Sequence, residues 1–265
     1  MSSRPKVSVV TVNFNMADEI AGTLDSVLAQ DYPNFESIVI DGGSSDGSRE
    51  IIASYGDRLA HWVSEPDKNL YDGMNKGVRL ASGDWVLFMN SGDQFADSGV
   101  LSAMFADDHA DADVLYGHHV RRYPEQNIER VIRAEPPQVL PLRMHCAHQS
   151  LFMRRKILLD RPFSLSLLAA DYDAILDAYV SGKKFKMIDC VVSINAVGGR
   201  SDKNRWVSFR ERMSILRHHG MLTLGLRAHY AGLIAWALLA AIAKKLLPPS
   251  LVAYILERRP LKGLG

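Results

Sequence analysis

The chain has 265 residues, of which 47% are hydrophobic and 23% charged, and its formal net charge at pH 7 is +1. This balance predicts a folded protein with a sizeable core and argues against a dedicated nucleic-acid-binding protein, which would carry a basic excess. The two cysteines, Cys146 and Cys190, form no CxxC pair, so we expect no disulfide framework and a reducing compartment. The amino terminus runs straight into a strand-like segment without a cleavable signal peptide, and we therefore expect a cytoplasmic protein.

Strand and helix signals alternate along the first third of the chain. The β-branched run Val7–Val12 is typical of a strand that is covered on both faces. The following helix has its apolar residues on one face, with Asp18 as the expected N-cap. The other segments with such signals are strands at 36–41, 61–64 and 84–89 and helices from about 48 and over 70–81. This alternation predicts right-handed βαβ units and a mainly parallel, Rossmann-like α/β sheet flanked by helices.

The second half of the chain is more mixed. Extended segments are predicted at 114–120 and 128–134, and "HQSLFMRR" is expected to return to the core. A helix over 169–182 is expected to end at Gly182. The segments "FKMID" and "VVSINA" predict a late pair of strands.

The C-terminal section, 203–265, has a different character. One face of its first helix is expected to carry Trp206, Phe209, Met213 and Leu216, with arginines around them. The uncharged run Ala228–Ala243 has 16 residues, whereas a membrane span needs about 20. We expect helices that lie in the membrane interface, on the inner face of the plasma membrane. The alternatives are an apolar helical hairpin packed on the protein's own core and a true transmembrane helix.

Aspartates follow three of the predicted parallel strands. Asp41 comes after the second strand, Asp67 after the third and Asp93 after the fourth. Ligands of open parallel sheets bind at the carboxyl ends of the strands, so we expect the three carboxylates in one crevice. They would repel one another unless a cation joined them, and hard oxygen ligands suit Mg²⁺ or Mn²⁺ carrying a phosphate group. For any one of them, a helix-capping aspartate is the alternative.

Two common nucleotide-binding motifs are missing from the sequence. The segment after the first strand, "NFNMADE", contains no glycine, although a dinucleotide-binding fold carries GxGxxG at that point. The phosphate-loop pattern GxxxxGK[ST] does not occur either. Both motif-based hypotheses are weakened accordingly.

Four segments taken together resemble the family 2 glycosyltransferases, which are inverting enzymes with the GT-A fold: "VSVVTVNFN", "IVIDGGSSDGS", "EPDKNLYDGMNKG" and "ASGDWVLFMNSGD". The resemblance runs from about Val7 to Ser201. It implies a GT-A domain over 1–202, with a nucleotide-sugar half at about 1–117 and an acceptor half at about 118–202, followed by the extension 203–265. The implied partners are a nucleotide-sugar donor, expected to be a UDP-sugar, and a divalent metal ion, Mg²⁺ or Mn²⁺.

The resemblance also implies residue roles at the end of the first strand. The family's strand ends in Pro-Thr-Tyr-Asn, which corresponds here to Val12, Asn13, Phe14 and Asn15. Phe14 would therefore stack on the nucleotide base. Asp41 matches an aspartate that hydrogen-bonds the base, normally a uracil edge.

Further donor contacts are implied along the chain. Asn75, in "MNKG", matches a residue that lines the sugar-diphosphate pocket, and Arg200, in "GGRS", would reach the diphosphate. The third-strand aspartate, Asp67, is expected at the same site. Small residues at Ser91 and Gly92 would leave room for the diphosphate.

The segment "NSGD" matches the family's Asp-x-Asp-Asp version of the DxD motif. Asp93 falls on its metal-binding carboxylate, whereas Asn90 and Gly92 replace the leading aspartates. Asp93 would then be the single essential carboxylate for the metal ion.

The acceptor side is implied by the second half. "AADYDAIL" resembles the family's Glu-Asp segment at a helix start, with Asp171 on the general base and Ala170 in place of the glutamate. Asp173 is the alternative for that role. His148 and Gln149 would line the acceptor side. Because of the C-terminal helices, we expect the acceptor at the membrane, as a saccharide or a polyprenyl-linked saccharide in polysaccharide biosynthesis.

Two other functions remain open at this point. A sugar-phosphate nucleotidyltransferase has a related sheet but would carry a glycine- and arginine-rich phosphate loop after the first strand, which "NFNMADE" lacks. A non-catalytic nucleotide-sugar-binding protein is suggested by the thinned DxD motif.

Overall fold

The computed structural model describes residues 4–107, 109–124, 127–196 and 205–246. Over its described residues the chain divides into two compact units: Met1–Pro137 with His145–Val197, and Gln138–Met144 with Gly198–Gly265. The first unit contains the sheet, and the second contains two C-terminal helices.

The first four strands of the first unit are parallel neighbours. They are β1 (Val7–Asn13), β2 (Phe35–Asp41), β3 (His61–Ser64) and β4 (Trp85–Phe88). The helices between them are α1 (Ala17–Leu28), α2 (Ser48–Ser54) and α3 (Leu70–Leu80). The strand order β3-β2-β1-β4 brings the carboxyl ends of all four strands to one edge. The predicted parallel βαβ units are confirmed.

The rest of the sheet is mixed. Its elements are β5 (Gln94–Phe95), α4 (Val100–Met104), β6 (Val114–Tyr123), β7 (Ile128–Ile132), β8 (Leu151–Arg154), α5 (Arg155–Asp160), α6 (Ala170–Val180) and β9 (Phe185–Ala196). The order continues from β4 through β8, β6 and β9 to β5, and β7 lies off this path, paired with the second half of β6. Strand β8 is antiparallel to both of its neighbours, whereas β6 and β9 are parallel. The sheet is therefore mixed: its first four strands are parallel as predicted, and antiparallel pairs occur in its second part.

Two local expectations were wrong. The predicted late pair of strands is one strand, β9, which pairs with β6 with register shifts between Tyr116 and His119. Helix α1 is not capped by Asp18, which lies in its first turn. Instead, the backbone N–H of Ala17 donates to Asp46 Oδ2 over 2.8 Å, so the turn after β2 caps the helix.

Helix α3 packs closely against β1. A Cβ atom added to Gly77 would lie only 2.3 Å from Val10 Cγ1, so this approach requires glycine. Trp85, Phe105 and Phe152 are buried within one continuous apolar cluster of the first unit. The site-forming ends of the strands thus project from a closely packed framework.

The second unit contains α7 (Arg205–His218) and α8 (Leu224–Leu246), which pack against each other. Of the four residues predicted on one apolar face of α7, only Leu216 is fully buried, and Trp206 is exposed. Tyr230 of α8 is buried, and its hydroxyl donates to the Pro141 carbonyl over 3.1 Å. Leu239 is 66% exposed. Among the described residues, no helix combines the length and apolarity needed to cross a bilayer.

Candidate active site

The carboxyl ends of β1 and β2 meet in a buried cluster around Asp41. Asn13 lies opposite Asp41 in the strand register, and its Nδ2 donates to Asp41 Oδ1 over 2.7 Å. The hydroxyls of Ser44 and Ser64 donate over 2.5 and 2.6 Å, and the backbone N–H of Ser44 over 3.0 Å. Burial alone would raise the pKa of Asp41, but these hydrogen bonds lower it below its ordinary value. Neutral donors therefore hold a buried, ionised carboxylate.

These four donors matter for the predicted base contact. A carboxylate has about four acceptor positions, and Asp41 already uses that number. Direct hydrogen bonding from Asp41 to a base therefore stays a prediction, and it requires a serine hydroxyl to turn away. Phe14, in contrast, is 62% exposed at the end of β1. Its ring lies beside Gly42, where an added Cβ would be 3.2 Å from Phe14 Cδ2.

Asp67 forms an ion pair with a lysine that the sequence analysis missed. Lys76 Nζ lies 2.7 Å from Asp67 Oδ1 and 2.7 Å from Glu65 Oε1. Burial raises the pKa of Asp67, and the Lys76 ammonium opposes that rise. The pKa of Lys76 is raised because hydrogen bonds to Asp67 and Glu65 outweigh the opposing effect of burial. The Lys76 ammonium thus lies at the edge of the sheet where the nucleotide-sugar donor is predicted to bind.

The turn after β4 is anchored on both of its small residues. The Ser91 hydroxyl donates to Asn13 Oδ1 over 2.8 Å, and the Ser91 backbone N–H donates to the Val12 carbonyl over 3.1 Å. Gly92 has a φ of 94°, a left-handed conformation that favours glycine. Its N–H donates to Thr23 Oγ1 over 3.0 Å. The turn is therefore fixed to β1 and α1.

Asp93 follows in the same turn and is half-buried. Two side-chain amides hold its carboxylate: Gln149 Nε2 donates to Oδ2 over 2.8 Å, and Asn195 Nδ2 donates to Oδ1 over 2.9 Å. Burial raises the pKa of Asp93, and the effect outweighs the opposing hydrogen bonds and the nearby His148. The carboxylate is oriented, but its charge is not neutralised by these amides.

The three strand-end aspartates do not gather into one cluster. Among the described residues, no group of three or more His, Cys, Asp or Glu side chains is placed to hold a metal ion. Separate protein partners hold the three carboxylates, those of Asp41, Asp67 and Asp93. The repulsion expected between them is therefore relieved at each carboxylate by its own partners. A metal ion is still compatible with the Asp93 turn, since Asn90 Oδ1 is buried and lacks a hydrogen-bond partner in the described part of the chain. Carboxylate and amide oxygens suit Mg²⁺ or Mn²⁺.

Asp171 lies in the first turn of α6 and is held from two sides. The Tyr71 hydroxyl lies 3.0 Å from Asp171 Oδ1 and 2.8 Å from the Leu168 carbonyl, so these two oxygens share its one proton. His148 Nδ1 is 3.4 Å from Asp171 Oδ2, and His148 Nε2 is 3.2 Å from Asn90 Nδ2. The chain Asn90–His148–Asp171 therefore connects the turn after β4 to the start of α6. Asp171 and His148 also border a small cavity whose lining includes Phe163.

Three further predicted residues have different outcomes. Asp173, the alternative base, is paired with Arg161 Nη2 over 3.1 Å and points to that partner. Asn75 binds the backbone of Phe163, donating to its carbonyl and accepting from its N–H over 2.9 Å each. It thereby fixes the segment before α6, and its contact with the donor stays a prediction. Arg200 lies outside the described residues.

The structure adds residues that sequence reasoning missed. Ser44 was signalled by the polar turn "GGSSDGS", and Lys76 stands next to Asn75 in "MNKG". Tyr71 and Asn195 carried no such signal, because the contact to Asp171 or Asp93 joins residues about 100 positions apart.

Comparison with known proteins identifies the same framework. The family model for glycosyl transferase family 2 matches residues 8–162. A PGL/p-HBAD biosynthesis glycosyltransferase of Mycobacterium bovis is 31% identical over 156 residues, which cover 57% of this chain and 60% of that protein. The matches cover between 38% and 60% of the length of such curated relatives.

Two solved structures share the fold. Staphylococcus aureus TarS 1–349 in complex with UDP-GlcNAc has a TM-score of 0.64 and 20% identity, covering 88% of this chain and 71% of that one. The mannosyltransferase PcManGT of Pyrobaculum calidifontis, in complex with GDP-Man and Mn²⁺, has a TM-score of 0.64 and 19% identity, covering 97% and 79% respectively. The GT-A expectation for the fold is confirmed.

Proposed function

This chain belongs to glycosyl transferase family 2, and we propose that it is an inverting enzyme of cell-envelope polysaccharide biosynthesis. It would move a sugar from a nucleotide-diphospho-sugar to a hydroxyl of a saccharide or lipid-linked saccharide. One observation carries the proposal: His148 contacts both Asp171 on α6 and Asn90 in the turn after β4. A base connected to the donor-side turn is what a reaction between two bound substrates needs, since both must be held in reacting geometry.

On the donor side, the exposed ring of Phe14 would stack on the base. We propose a UDP-sugar as donor, with Asp41 directed at the uracil edge. TarS in complex with UDP-GlcNAc and PcManGT in complex with GDP-Man show that this fold accommodates nucleotide-sugars in both proteins. Arg200 would add positive charge near the diphosphate, and Val12, Ser91 and Gly92 would form its wall.

Asp93 would hold a divalent cation, Mg²⁺ or Mn²⁺, with the unpartnered Asn90 Oδ1 as a second oxygen ligand. When bound, the cation supplies positive charge beside the leaving diphosphate. The chain's own part is orientation, because Gln149 and Asn195 hold the Asp93 carboxylate from both oxygens.

Asp171 would act as general base. It would take the proton of the acceptor hydroxyl while that oxygen attacks the anomeric carbon of the donor from the face opposite the nucleotide. The bond from that carbon to the diphosphate oxygen would break, and the nucleoside diphosphate would leave. An α-linked donor would thus give a β-glycoside. Base catalysis of this kind typically contributes ~10²–10⁴ in rate. Tyr71 and His148 leave Asp171 acceptor positions for this proton.

We also propose that the acceptor lies at the inner face of the plasma membrane, for example as a polyprenyl-linked saccharide. The support is the exposure of Leu224, Leu238 and Leu239 along α8, which suits a helix lying in the membrane interface. Deleting Leu222–Gly265 should release the protein from the membrane fraction. Retention of the truncated protein in the pellet would contradict this part of the proposal.

The enzymatic proposal is tested with purified protein, Mn²⁺ or Mg²⁺, and a panel of UDP- and GDP-sugars. We expect donor turnover, a β-configured product by NMR, and loss of turnover in Asp171→Asn with UDP binding retained. Nucleotide-sugar formation from UTP and a sugar 1-phosphate would instead indicate a nucleotidyltransferase. UDP-sugar binding without any turnover would indicate the non-catalytic alternative. Full activity of both Asp171→Asn and Asp93→Ala would contradict the site assignment.

A further inference from the structure

The tight turn His148–Ser150 contacts both of the carboxylates on which the proposed reaction depends. His148 reaches Asp171, and its neighbour Gln149 reaches Asp93. We infer that this turn is a positioning element that sets the two halves of the site against each other. His148 is the positioning residue of Asp171, and Gln149 is that of Asp93. The inference rests on the proposed function and assigns roles within its site.

The turn itself is firmly held by its third residue. Ser150 is fully buried, and its hydroxyl lies 2.7 Å from Ser193 Oγ and 3.1 Å from the His118 carbonyl. Its backbone N–H donates to the Ala147 carbonyl over 2.9 Å. Strand β8 begins directly afterwards at Leu151. The two preceding side chains therefore extend from a point fixed to the sheet.

His148 is oriented by contacts on both sides of its ring. The Asn90 amide nitrogen can only donate, so Nε2 of His148 accepts and the Nδ1 atom facing Asp171 carries the ring proton. On the opposite side, Nε2 lies 3.2 Å from Asn90 Nδ2 in the donor-side turn. Tyr71 holds the other oxygen of Asp171. The Tyr71 hydroxyl and the His148 ring thus contact the two oxygens of the carboxylate, and the ring also contacts the donor-side turn.

Gln149 belongs to a closed set of contacts around Asp93. Asn195 holds the other carboxylate oxygen, and Asn195 Oδ1 accepts from Ser193 Oγ over 3.0 Å. Ser193 in turn contacts Ser150, the residue that follows Gln149. The amides of Gln149 and Asn195 therefore reach Asp93 from the turn before β8 and from β9, which are joined by the contact between Ser150 and Ser193. They fix the carboxylate without cancelling its charge.

The consequence is that substitutions of these two adjacent residues should affect different quantities: kcat for His148 and nucleotide binding for Gln149. His148→Ala should lower kcat up to about 100-fold, with the donor KM and the affinity for UDP in the presence of Mn²⁺ within about 2-fold of the parent. Gln149→Ala should weaken Mn²⁺-dependent UDP binding about 10-fold, measured by calorimetry, with the smaller effect on kcat. If the turn had a purely structural role, kcat and the affinity for UDP would change together in both variants.

Conservative substitutions distinguish the two sides of the His148 ring. Asn places its amide donor near the position of Nδ1, and Gln places its amide near Nε2. His148→Asn should therefore recover more kcat than His148→Gln. In an Asp171→Asn background, His148→Ala should lower kcat by less than about 2-fold further, because the carboxylate that His148 positions is then absent. Additive losses, or better recovery by Gln than by Asn, would overturn the assignment.

Crystal structures of the variants test positioning without any substrate. The Asp171 side chain should change rotamer in His148→Ala but not in Gln149→Ala, and Asp93 should show the reverse. Unchanged carboxylates in both would overturn the inference even if the enzyme transfers sugar. Absence of turnover by the parent protein with UDP-glucose, UDP-galactose, UDP-GlcNAc and GDP-mannose would count against the proposed function alone. The exposed residues His61 and Gln138 provide matched controls, and their alanine variants should retain parental kcat and UDP affinity.

Discussion

The two ends of strand β2 each carry a buried carboxylate, and the two are held differently. At the amino end, Glu36 is 2.8 Å from Lys6 Nζ and accepts hydrogen bonds from Ser8 and Ser82 over 2.6 to 2.8 Å. Burial opposes ionisation, but these contacts together lower the pKa of Glu36 to about 2. At the carboxyl end, Asp41 receives its hydrogen bonds from Asn13 and serines, which carry no charge.

Neutral donors are also found at two other carboxylates of the candidate site. Amides hold Asp93 after β4, and the Tyr71 hydroxyl contacts Asp171 at the start of α6. Neutral donors orient a carboxylate while leaving its charge available to a cation or a proton, whereas a lysine cancels that charge. Asp67, paired with Lys76, is the exception at the carboxyl edge of the sheet. The difference between a structural carboxylate and one suited to chemistry is therefore whether a cationic side chain neutralises its charge, and not how deeply it is buried.

The largest expected effect that tests this contrast is at Asp171. Asp171→Asn should lower transfer ~10²–10⁴-fold, because the amide cannot take the acceptor proton. UDP binding by calorimetry should stay at the parental level. The matched control is Asp173→Asn two residues along α6, which breaks a pair with Arg161 and should retain transfer. Equal loss in both variants would contradict the assignment of the base.

The next effect is expected at Asp93. Asp93→Asn removes the charge and presents an amide N–H to Gln149 or Asn195, both of which donate. Transfer should fall about 10²–10³-fold and lose its response to Mn²⁺ in a titration of the metal ion. Asp97→Asn is the control, since Asp97 is exposed and caps a local turn through the Gly99 N–H. An unchanged Mn²⁺ response would show that Asp93 is not a ligand.

At the opposite edge, Glu36→Gln should affect stability and not catalysis. The pKa of Glu36 is lowered from 4.5 to about 2, and each pKa unit corresponds to about 1.4 kcal/mol. The free energy of unfolding at pH 7 should therefore fall by up to roughly 3.5 kcal/mol in urea denaturation. The folded variant should keep parental kcat. Glu50→Gln, at an exposed position of α2, should change stability by less than about 0.5 kcal/mol.

The pH dependence of stability should follow from the same group. Because the pKa of folded Glu36 lies below the ordinary value of 4.5, its contribution is complete above pH 4.5 and is lost as the pH falls toward about 2. Urea midpoints at pH 7, 4.5 and 3 should fall more steeply for the parent than for Glu36→Gln. Parallel curves for the two proteins would mean that Glu36 does not contribute in this way.

The smallest effect is expected at Phe14, where binding and stability separate. Stacking of an aromatic ring on a base is typically worth about 1–3 kcal/mol, so Phe14→Ala should raise the donor KM about 10-fold. Since the ring is 62% exposed, the melting temperature should stay near the parental value. Val131→Ala removes an apolar side chain of similar exposure, 58%, and should leave KM unchanged. A KM effect equal in both variants would exclude stacking.

The parallel half of the fold was predictable because its signals are local. Continuous apolar runs indicated β1 to β4 within one or two residues, and their alternation with helical segments implied a common edge. The order of the motifs along the chain was enough to identify the family, which the match over residues 8–162 confirms. These features depend on neighbouring residues, and a sequence displays neighbours directly.

What the sequence determined by itself is therefore the family, the parallel strands and the identity of the aspartates at their ends. The tertiary structure alone decided which partners those aspartates have. Asn195 and Gln149 reach Asp93 from 102 and 56 positions away, and Tyr71 reaches Asp171 from 100 positions away. Pairings of this kind have no periodicity in the sequence, since they arise only when β8, β9 and α6 pack beside the turn after β4. They also decide which carboxylates keep an uncompensated charge, and so which ones are suited to chemistry.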